Sequence, residues 1–455
     1  MITFLVNHKL AYSQTIAAGD GHSLALCIDG TVLSWGSNSS GQLGNGTVTS
    51  SNIPVAVSNL TDIIAVTVGE NHSLALKNDG TVWTWGDNIE GQLGDGTTTD
   101  RSLPAQIENM NGVIAIAAGE YHSLALKNDL TVWAWGWNNK GQFGDGTNTD
   151  SNIPKLVNEL SSINVIAIAA GSEHSLFLRS NGQILACGDN DEGQLGDATN
   201  LESSLPVQVG DVFSDVTAIA AGGDFSMLLK SNGVVFTWGE NSLGQLGDGT
   251  NTNSNVPVQV NSLSDVTAIA AGNHLSLALK SNGTVMSWGG NLDGELGNGN
   301  NTSSNIPVAV SSVSNVFAIA AGQRHSLALK NDATISSWGG NSVGQLGNGL
   351  FTASNIPTDV TGLCSVATAI NEISTSTLVS VFPNPTTGKF MFTIEGEGKQ
   401  YNLEFYNMQG QMMYSINNLK KYSVKEIDLS ELSKGIYFLK IQDGKNFYCE
   451  KIVLQ

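Results

Sequence analysis

The chain contains 455 residues, of which 20 are Lys or Arg and 40 are Asp or Glu, so its formal net charge is −20. With 40% hydrophobic residues it can bury a large core, which excludes an intrinsically disordered chain. The negative charge repels phosphates and anionic lipid heads, so we expect neither a nucleic-acid partner nor binding to a membrane surface. No uninterrupted run of about 18 apolar residues occurs, and we therefore expect no transmembrane helix.

Residues 1–13 form a segment ahead of the first predicted strand. Ala11-Tyr12-Ser13 resembles the small-residue end of a cleaved secretory signal. Met1–Val6, however, has no basic start and is too short for an apolar signal core. We expect residues 1–13 to be an N-terminal remnant, either of a truncated signal or of a start assigned to the wrong codon.

A repeat of about 50 residues fills residues 14–362. A Trp-Gly pair recurs at intervals of 50 to 52 residues, and Cys187-Gly188 replaces it in the fourth of seven copies. The second copy predicts strands at 65–69, 73–77 and 81–86, then a glycine-rich loop and a fourth strand from Pro104. Asn-Gly and Asp-Gly pairs between the second and third strands predict two-residue hairpin turns of the primed types.

Small residues and prolines mark the two edges of each predicted sheet. Six copies carry Ala-Ala-Gly before the second strand, as at 117–119, which suits a crowded axis where sheets converge. A proline opens each fourth strand, and a residue without an N–H group belongs on an outer edge. Seven such radial sheets predict an all-β fold, a seven-bladed β-propeller.

The Trp of each third strand is expected to fill the gap between neighbouring blades, where its burial contributes about 3 kcal/mol. In the fourth copy Cys187 leaves this gap empty, and Phe177 stands where the first three copies have Ala25, Ala75 and Ala125. We expect the Phe177 ring to occupy the volume of the missing indole.

The repeated string, as it stands at His72–Gly94, closely resembles the repeat of the regulator-of-chromosome-condensation family. The resemblance covers residues 14–362 and implies a seven-bladed propeller. Members of that family include a nucleotide-exchange factor for a nuclear GTPase, ubiquitin-ligase accessory domains and a secreted bacterial inhibitor of β-lactamases. The resemblance therefore implies a rigid disc that binds other proteins on one face, without choosing among these functions.

A second domain is predicted after a break in composition near residue 377. Residues 1–376 contain 11 basic and 32 acidic residues, whereas residues 377–455 contain 9 basic and 8 acidic residues. Apolar and polar residues alternate after the break, as in Lys389–Ile394. We predict a linker at 363–378 and a small immunoglobulin-like β-sandwich at 379–455.

Motifs of this second domain resemble the type A C-terminal sorting domain of the type IX secretion system of Bacteroidetes. They are Val381-Phe382-Pro383-Asn384-Pro385, Gly435-Ile436-Tyr437-Phe438 and Lys451-Ile452-Val453-Leu454. The resemblance implies that this export machinery recognises the chain and delivers it to the medium or the outer cell surface. An ordinary immunoglobulin-like accessory domain is the alternative. The implied sorting-signal residues are Pro383, Asn384, Pro385, Gly388, Gly435, Tyr437, Lys451 and Val453.

Two sets of polar residues recur at fixed positions of the repeat. Five copies share a histidine position, occupied by His22, His72, His122, His174 and His325. A ring of imidazoles could bind a metal, but the other two copies have Phe225 and Leu275 there, so we predict a buried structural role. Another position holds Lys77, Lys127, Arg179, Lys230, Lys280 and Lys330. Repetition disperses these cations around the disc, which argues against a nucleic-acid patch.

The fourth glycine-rich loop is the densest in acidic residues. Asp189, Asp191, Glu192 and Asp197 lie within nine residues and could hold Ca²⁺, although the ligand order of an EF-hand is missing. A solvated acidic loop is the alternative. We expect no other cofactor, and no motif for nucleophilic, phosphate or zinc chemistry occurs, so we predict no catalytic residues.

Other positions vary between copies in the manner of a binding surface. Exposed aromatics among acids are typical of protein-binding surfaces, and random drift of solvent-facing loops is the alternative. The predicted partner-binding residues are Glu70, Ile89, Glu90, Glu120, Tyr121, Trp137, Lys140, Leu243, Leu292 and Arg324.

We interpret the chain as a secreted or surface-displayed monomeric propeller that acts as a rigid module for binding an extracellular protein or glycan, and not as an enzyme. One alternative is a polysaccharide-active hydrolase or lyase that uses the propeller face. The other is a regulator resembling a guanine-nucleotide exchange factor, which the export domain and the acidic disc disfavour.

Overall fold

The computed structural model describes residues 16–210, 213 and 215–363, together with seven strands between residues 379 and 454. The predicted N-terminal remnant at 1–13 lies outside the described residues, and so does the predicted linker apart from Leu363. The chain divides into two compact units, one of residues 12–368 and a second that contains residues 369–455.

Seven four-stranded antiparallel sheets, each made of consecutive strands, build the first unit. Blade 1 contains β1 (Ile16–Ala18), β2 (His22–Leu26), β3 (Val32–Gly36) and β4 (Ser51–Ala56). Blade 2 contains β5 (Ile63–Val68), β6 (His72–Lys77), β7 (Val82–Gly86) and β8 (Arg101–Gln106). Blade 3 contains β9 (Val113–Ala118), β10 (His122–Lys127), β11 (Val132–Gly136) and β12 (Ser151–Leu156), followed by a short 3-10 helix (Asn158–Leu160).

The remaining blades repeat this order. Blade 4 contains β13 (Val165–Ala170), β14 (His174–Arg179), β15 (Ile184–Gly188) and β16 (Ser203–Gln208). Blade 5 contains β17 (Val216–Ala221), β18 (Phe225–Lys230), β19 (Val235–Gly239) and β20 (Ser254–Gln259). Blade 6 contains β21 (Val266–Ala271), β22 (Leu275–Lys280), β23 (Val285–Gly289) and β24 (Ser304–Ala309). Blade 7 contains β25 (Val316–Ala321), β26 (His325–Lys330), β27 (Ile335–Gly339) and β28 (Ser354–Asp359). The predicted seven-bladed propeller is confirmed.

A ring of glycines lies at the axis, directly after the first strand of each blade. Its members are Gly19, Gly69, Gly119, Gly171, Gly222, Gly272 and Gly322. A Cβ added to any of them would lie 2.2 to 2.6 Å from the carbonyl oxygen of the next glycine, and Gly322 meets Gly19 to close the circle. None of the seven has a positive φ. Glycine is therefore required here by lack of space, as the crowded axis predicted from Ala-Ala-Gly implies.

The hairpin turns between the second and third strands are not of the predicted primed types. In blade 2, Lys77 N donates to Thr81 O and Gly80 N donates to Lys77 O, both at 2.9 Å. Of the turn residues only Gly80 has a positive φ, +81°, whereas a type I′ turn needs two in succession. The result is a type I turn followed by a glycine bulge. The Asp79 carboxylate stabilises it by accepting from Thr81 N at 3.0 Å.

Two aromatic rings fill the gap that Cys187 leaves between blades 3 and 4. Elsewhere the indole N–H donates to a loop carbonyl of the preceding blade, as Trp85 does to Gln42 O at 2.8 Å. Cys187 Sγ donates to the corresponding carbonyl at 3.3 Å. Phe177 is fully buried in the same cluster, as expected, and so is Phe143. Phe143 replaces the leucine of the other six loops, so two substitutions supply the missing volume.

The second unit contains two antiparallel sheets, the arrangement expected for the predicted immunoglobulin-like β-sandwich. One sheet is formed by β29 (Val379–Phe382), β30 (Lys389–Ile394) and β33 (Lys425–Asp428). The other is formed, in spatial order, by β32 (Met412–Leu419), β31 (Tyr401–Asn407), β34 (Gly435–Gln442) and β35 (Phe447–Leu454).

Gly119→Ala is expected to lower the melting temperature by several degrees. The new Cβ would lie 2.4 Å from the Gly171 carbonyl oxygen and 2.3 Å from His122 Cε1, a clash with backbone that costs about 2 kcal/mol or more. Gly290→Ala is the control, because its Cβ would lie 3.2 Å from the end of the Leu243 side chain and 3.4 Å from the His274 Cβ and carbonyl oxygen, with no contact below 3.0 Å. Equal melting temperatures for the two variants in a thermal scan would contradict closure by the glycine ring.

Candidate functional site

One face of the propeller carries the long loops. Because neighbouring strands are antiparallel, the turn after the first strand and the loop after the third strand leave each blade at the same end. In blade 3, His122 pairs with Gly136, and Gly136 pairs with Ser151. We call this end the loop face; in blade 1 it consists of residues 19–21 and 37–50. All ten predicted partner-binding residues and all four predicted calcium ligands lie on it.

Acidic residues are concentrated on the loop face. Its turns and loops contain 20 acidic residues and two basic ones, Lys140 and Arg324. The six cations that recur in the repeat lie instead at the far ends of the second strands, beside the opposite face. The 20 acidic residues are Asp20, Glu70, Asp87, Glu90, Asp95, Asp100, Glu120, Asp145, Asp150, Glu173, Asp189, Asp191, Glu192, Asp197, Glu202, Asp224, Glu240, Asp248, Asp293 and Glu295. The strongly negative charge of the chain is thus a property of one face.

An internal asparagine holds each long loop in place. In blade 2 the Asn88 side-chain oxygen accepts from Leu93 N at 3.0 Å, and its amide donates to the Thr97 and Thr99 carbonyls at 3.2 Å each. Asp95 accepts from Thr97 N at 2.9 Å, as expected of turn chemistry. The asparagines that do this are Asn38, Asn88, Asn138, Asn190, Asn241, Asn291 and Asn341. Loops ordered in advance lose less entropy when a partner binds.

The five recurrent histidines lie beneath the loop face and join the blades. His122 Nε2 lies 2.9 Å from Ser175 Oγ of the next blade, and that hydroxyl donates to Gln142 O at 2.7 Å. Since Ser175 has a single proton to donate, its oxygen accepts from Nε2–H, which fixes the histidine tautomer. The same contact joins blades 7 and 1, where His325 Nε2 lies 2.8 Å from Ser23 Oγ.

Burial keeps these histidines neutral. All five are fully buried. Loss of solvation is the main cause that lowers the pKa of His22, His72, His122 and His325 to about 3 and that of His174 to about 4. Among the residues that the structure describes, no group of three or more His, Cys, Asp or Glu side chains is arranged to hold a metal ion. The predicted structural role accounts for these contacts.

His122→Phe is expected to make the fold less sensitive to acid. The folded pKa of His122, about 3, is below its ordinary value of 6.5. The unfolded chain therefore takes up a proton first, and stability is lost as the pH falls below 6.5. Between pH 6 and 4, removing this group should reduce the slope of the free energy of unfolding against pH by up to about 1.4 kcal/mol per pH unit.

Blade 5 is the natural precedent for this substitution. Phe225 occupies the histidine position there, and Ser276 of the next blade still donates to Gln245 O at 2.8 Å. Urea titrations at several pH values provide the measurement. An unchanged slope of stability against pH would show that His122 is not the group that titrates.

The turns after the first strands surround the central axis. Gln323 N donates to Gly19 O at 3.0 Å and Glu120 N to Ser172 O at 3.3 Å, so backbone hydrogen bonds connect successive blades. These turns line a cavity of about 100 Å³, to which Asp20 contributes a carboxylate. Small-molecule sites typically measure about 300 Å³ or more. The axial cavity is therefore too small for a sugar ring or a nucleotide.

Carboxylates crowd together where blades 4 and 5 meet the axis. Burial, followed by repulsion from Asp189, raises the pKa of Glu173 to about 7. Burial, followed by repulsion from Glu240 and Asp189, raises the pKa of Asp224 to about 6. His274 Nδ1 lies 3.0 Å from Glu240, and this hydrogen bond is the main cause that lowers the pKa of Glu240. This part of the loop face would be stabilised by a bound positive charge.

Lys140 joins the loops of blades 3 and 4. Its Nζ lies 2.7 Å from Asp189, 3.8 Å from Asp191 and 3.6 Å from Glu202. The hydrogen bond to Asp189 is the main cause that raises the pKa of Lys140. The one lysine of the loop face is thus engaged by acids of its own chain.

The four predicted calcium ligands contact polar groups of the chain itself, and two of them share Lys140. Asp189 contacts Lys140 and accepts from Gln194 Nε2 at 2.7 Å, while Asp191 reaches only Lys140. Glu192 accepts from Asn253, and Asp197 accepts from Thr199 N at 2.9 Å. The calcium site stays a prediction, and these contacts do not support it.

The other predicted partner-binding residues are exposed to different degrees. Ile89 and Leu292 are 67% and 78% exposed. Arg324 lies 3.5 Å from Asp293. The Glu90 and Leu243 backbone amides donate hydrogen bonds to glutamine side-chain oxygens of their own loops, so these two residues are fixed in position.

Four further apolar side chains on the loop face were not predicted. Val48, Leu201, Leu350 and Phe351 are between 56% and 73% exposed. They replace polar residues near the ends of the long loops. The same comparison between copies that identified Ile89 could have found them.

Glu173→Gln is expected to raise the melting temperature at pH 8 by about 1–2 °C but not at pH 5. Because the folded pKa of Glu173, about 7, exceeds its ordinary value of 4.5, stability falls as the pH rises between these values. A glutamine has no charge to lose, so the difference from the parent should grow across this range.

Glu159→Gln, beside the opposite face, is the control and should show no such growth. Thermal scans from pH 5 to pH 8 give both comparisons. If Glu173→Gln raises the melting temperature equally at all pH values, the charge of Glu173 is not the source of the repulsion among these carboxylates.

Solved structures share this propeller. The chain has a TM-score of 0.64 and 27% identity to human WBSCR16, over 69% of this chain and 85% of that one. For yeast RCC1 (Prp20) bound to Kap60 the TM-score is 0.66 and the identity 26%, over 74% and 85% of the two chains. The Danio rerio "Protein RCC2 homolog" is 35% identical over 95 residues, which are 20% of this chain and only 19% of the relative.

The fold and the loop face define a seven-bladed propeller that presents ordered loops on one side. The RCC1-like domain model matches residues 3–216 and 151–382. The chain therefore belongs to the RCC1-like domain family.

The second unit determines where the chain goes. The secretion system C-terminal sorting domain model matches residues 380–455, so the predicted sorting domain is confirmed and the chain is exported by the type IX machinery to the medium or the cell surface. Cys27 is disulfide-bonded, which suits an oxidising environment. In the described part of the chain, no helix has the length and apolar character to cross a membrane.

The predicted sorting-signal residues fall into two groups. Gly435 and Tyr437 lie on β34, and Lys451 and Val453 lie on the neighbouring β35. The other four, Pro383, Asn384, Pro385 and Gly388, lie outside the described residues.

Proposed function

We propose that this chain is an exported binding module whose loop face holds an extracellular protein or glycan. The observation that carries the proposal is the concentration of 20 acidic and two basic residues on the face that presents seven ordered loops. A binding face requires variable side chains on a fixed backbone, and the internal asparagines provide that backbone. In a related solved structure Kap60 is bound to yeast RCC1, which agrees with a propeller that binds proteins.

The same features argue for binding and against turnover. Catalysis needs a nucleophile or an acid–base pair positioned in a pocket that excludes water. The axial cavity measures about 100 Å³, and the raised pKa values of Glu173 and Asp224 arise from crowding beside an open face. We therefore propose that the module is not an enzyme and acts as a monomer.

Affinity capture with the full chain tests this function. The immobilised protein is incubated with culture medium and surface extract of the producing organism, and bound proteins and glycans are identified. The double variant Tyr121→Ala, Trp137→Ala should bind the partner at least about tenfold more weakly, because aromatic side chains contribute most of the binding energy of such surfaces. Higher salt should weaken capture, because it screens the acidic face.

The matched control is the double variant Lys230→Ala, Lys280→Ala beside the opposite face, which should capture the same partner as the parent. If this control loses the partner and the aromatic variant keeps it, the binding surface lies on the face opposite the loop face, which contradicts the proposal. Reproducible cleavage of a polysaccharide panel by the full chain would overturn the assignment as a non-enzymatic module.

A further inference from the structure

Blade 3 carries an aromatic corner that the other blades lack. The rings of Tyr121 and Trp137 meet edge to face, with centroids 6.0 Å apart and planes at 87°, and both are partly exposed. In the other six blades the two positions hold polar residues or glycine; the Trp137 position is occupied by Ser37, Asp87, Asp189, Glu240, Gly290 and Gly340. Two perpendicular rings in the middle of an acidic face form two walls of a site.

A buried amide without a partner faces this corner. In blades 2, 4 and 5 the corresponding loop glutamine donates through Nε2 to a carboxylate at the position of Trp137, as Gln194 does to Asp189 at 2.7 Å. Gln194 also reaches Asp224 of the next blade at 3.4 Å. Gln142 is fully buried and its Nε2 has no hydrogen-bond partner.

The position of this amide follows from the repeat. Gln142 Oε1 accepts from Lys140 N at 3.0 Å, as its counterparts accept from their own loops, so the amide has the same orientation. By analogy with Gln194, its free N–H group is directed towards the positions of Trp137 and Glu173, which correspond to Asp189 and Asp224. A buried donor left in this way costs about 1–3 kcal/mol unless an acceptor is supplied from outside.

Carboxylates flank the corner on both sides. The pKa of the Tyr121 hydroxyl is raised, first by burial and then by the Glu70 carboxylate. Glu120 adds to the effect. On the other side stands Glu173, whose main neutralising neighbour, Lys140, is already bound to Asp189. The aromatic faces are thus surrounded by negative charge that the chain itself does not compensate.

We propose that this corner binds a lysine or arginine side chain from a basic segment of the partner protein, with the cation against the Trp137 ring. A cation on an aromatic face is attracted by the ring quadrupole, and the carboxylates add to that attraction. A shift of the Trp137 side chain on binding would open the buried Gln142 Nε2 to a backbone carbonyl of the same segment, which would accept its hydrogen bond. This inference rests on the proposed function and narrows the partner to a protein.

The blade already contains one example of this contact, away from the loop face. Lys127 Nζ lies 4.9 Å from the ring centroid of Trp133. Trp133 therefore has its cation, whereas no cation of the described chain is recorded against Trp137. A neutral sugar could stack on the same ring, but it would leave the charges of Glu70, Glu120 and Glu173 uncompensated. A basic peptide compensates them.

Peptide binding to the full chain tests the proposal. Two labelled octapeptides are compared by fluorescence anisotropy, one with two arginines and one with citrulline, the uncharged analogue, in their place. We expect the arginine peptide to bind at least about tenfold more tightly, and Trp137→Ser, which introduces the residue of blade 1, to remove that preference. Trp133→Leu, which introduces the residue of blades 1 and 4, should leave it unchanged.

Three results would overturn the proposal: equal affinity for the two peptides, an arginine preference that persists in Trp137→Ser, or tight binding of a neutral oligosaccharide that Trp137→Ser removes. Capture of the natural partner distinguishes failure of the aromatic-corner proposal from failure of the proposed binding function. A natural partner that Trp137→Ser retains and Leu292→Asp releases would keep the loop face as the binding surface while rejecting the aromatic corner.

Discussion

Closure of seven blades around one axis is the constraint on which the rest of the molecule depends. At the centre, the Cα of each ring glycine lies so close to the next blade's carbonyl that no side chain fits. Farther out, the histidine–serine contacts and the indole N–H bonds join neighbouring blades through fully buried groups. Each distance from the axis therefore favours one kind of side chain: the glycine recurs in all seven blades, the indole in six and the histidine in five.

This closure leaves the loops free to vary. The internal asparagine of each loop satisfies the backbone locally, so exposed side chains such as those of Ile89 and Leu292 can vary without loss of the loop's own hydrogen bonds. Most buried polar groups under the face have partners in every blade. Gln142 differs from its counterparts in other blades, because its Nε2 has no partner where an aromatic residue replaced the carboxylate that a neighbouring blade uses. Function in this fold is therefore found where one copy departs from the others without a structural compensation.

The comparison of copies predicted the strands, the blade number and the buried histidines, because those features depend on a residue's position within one repeat. It also predicted the role of Phe177. It missed Phe143, whose compensating ring comes from the loop of the preceding blade, and it assigned the wrong hairpin turn because Asp79 acts through its side chain. The pairing of Lys140 with Asp189 joins residues 49 positions apart, and no pattern inside a single repeat contains that information.

Among the strands of residues 16–363, each blade is built from one uninterrupted stretch of chain, and none is exchanged between the first and the seventh blade. The junction between these two blades uses the same glycine, histidine–serine and indole contacts as the other junctions that carry them. Blades 7 and 1 thus pack together with no peptide segment leading directly from one to the other, and chemically similar junctions occur elsewhere. Such a disc tolerates relocation of its ends to another inter-blade connection, which would let evolution or design attach a carrier domain beside any chosen loop.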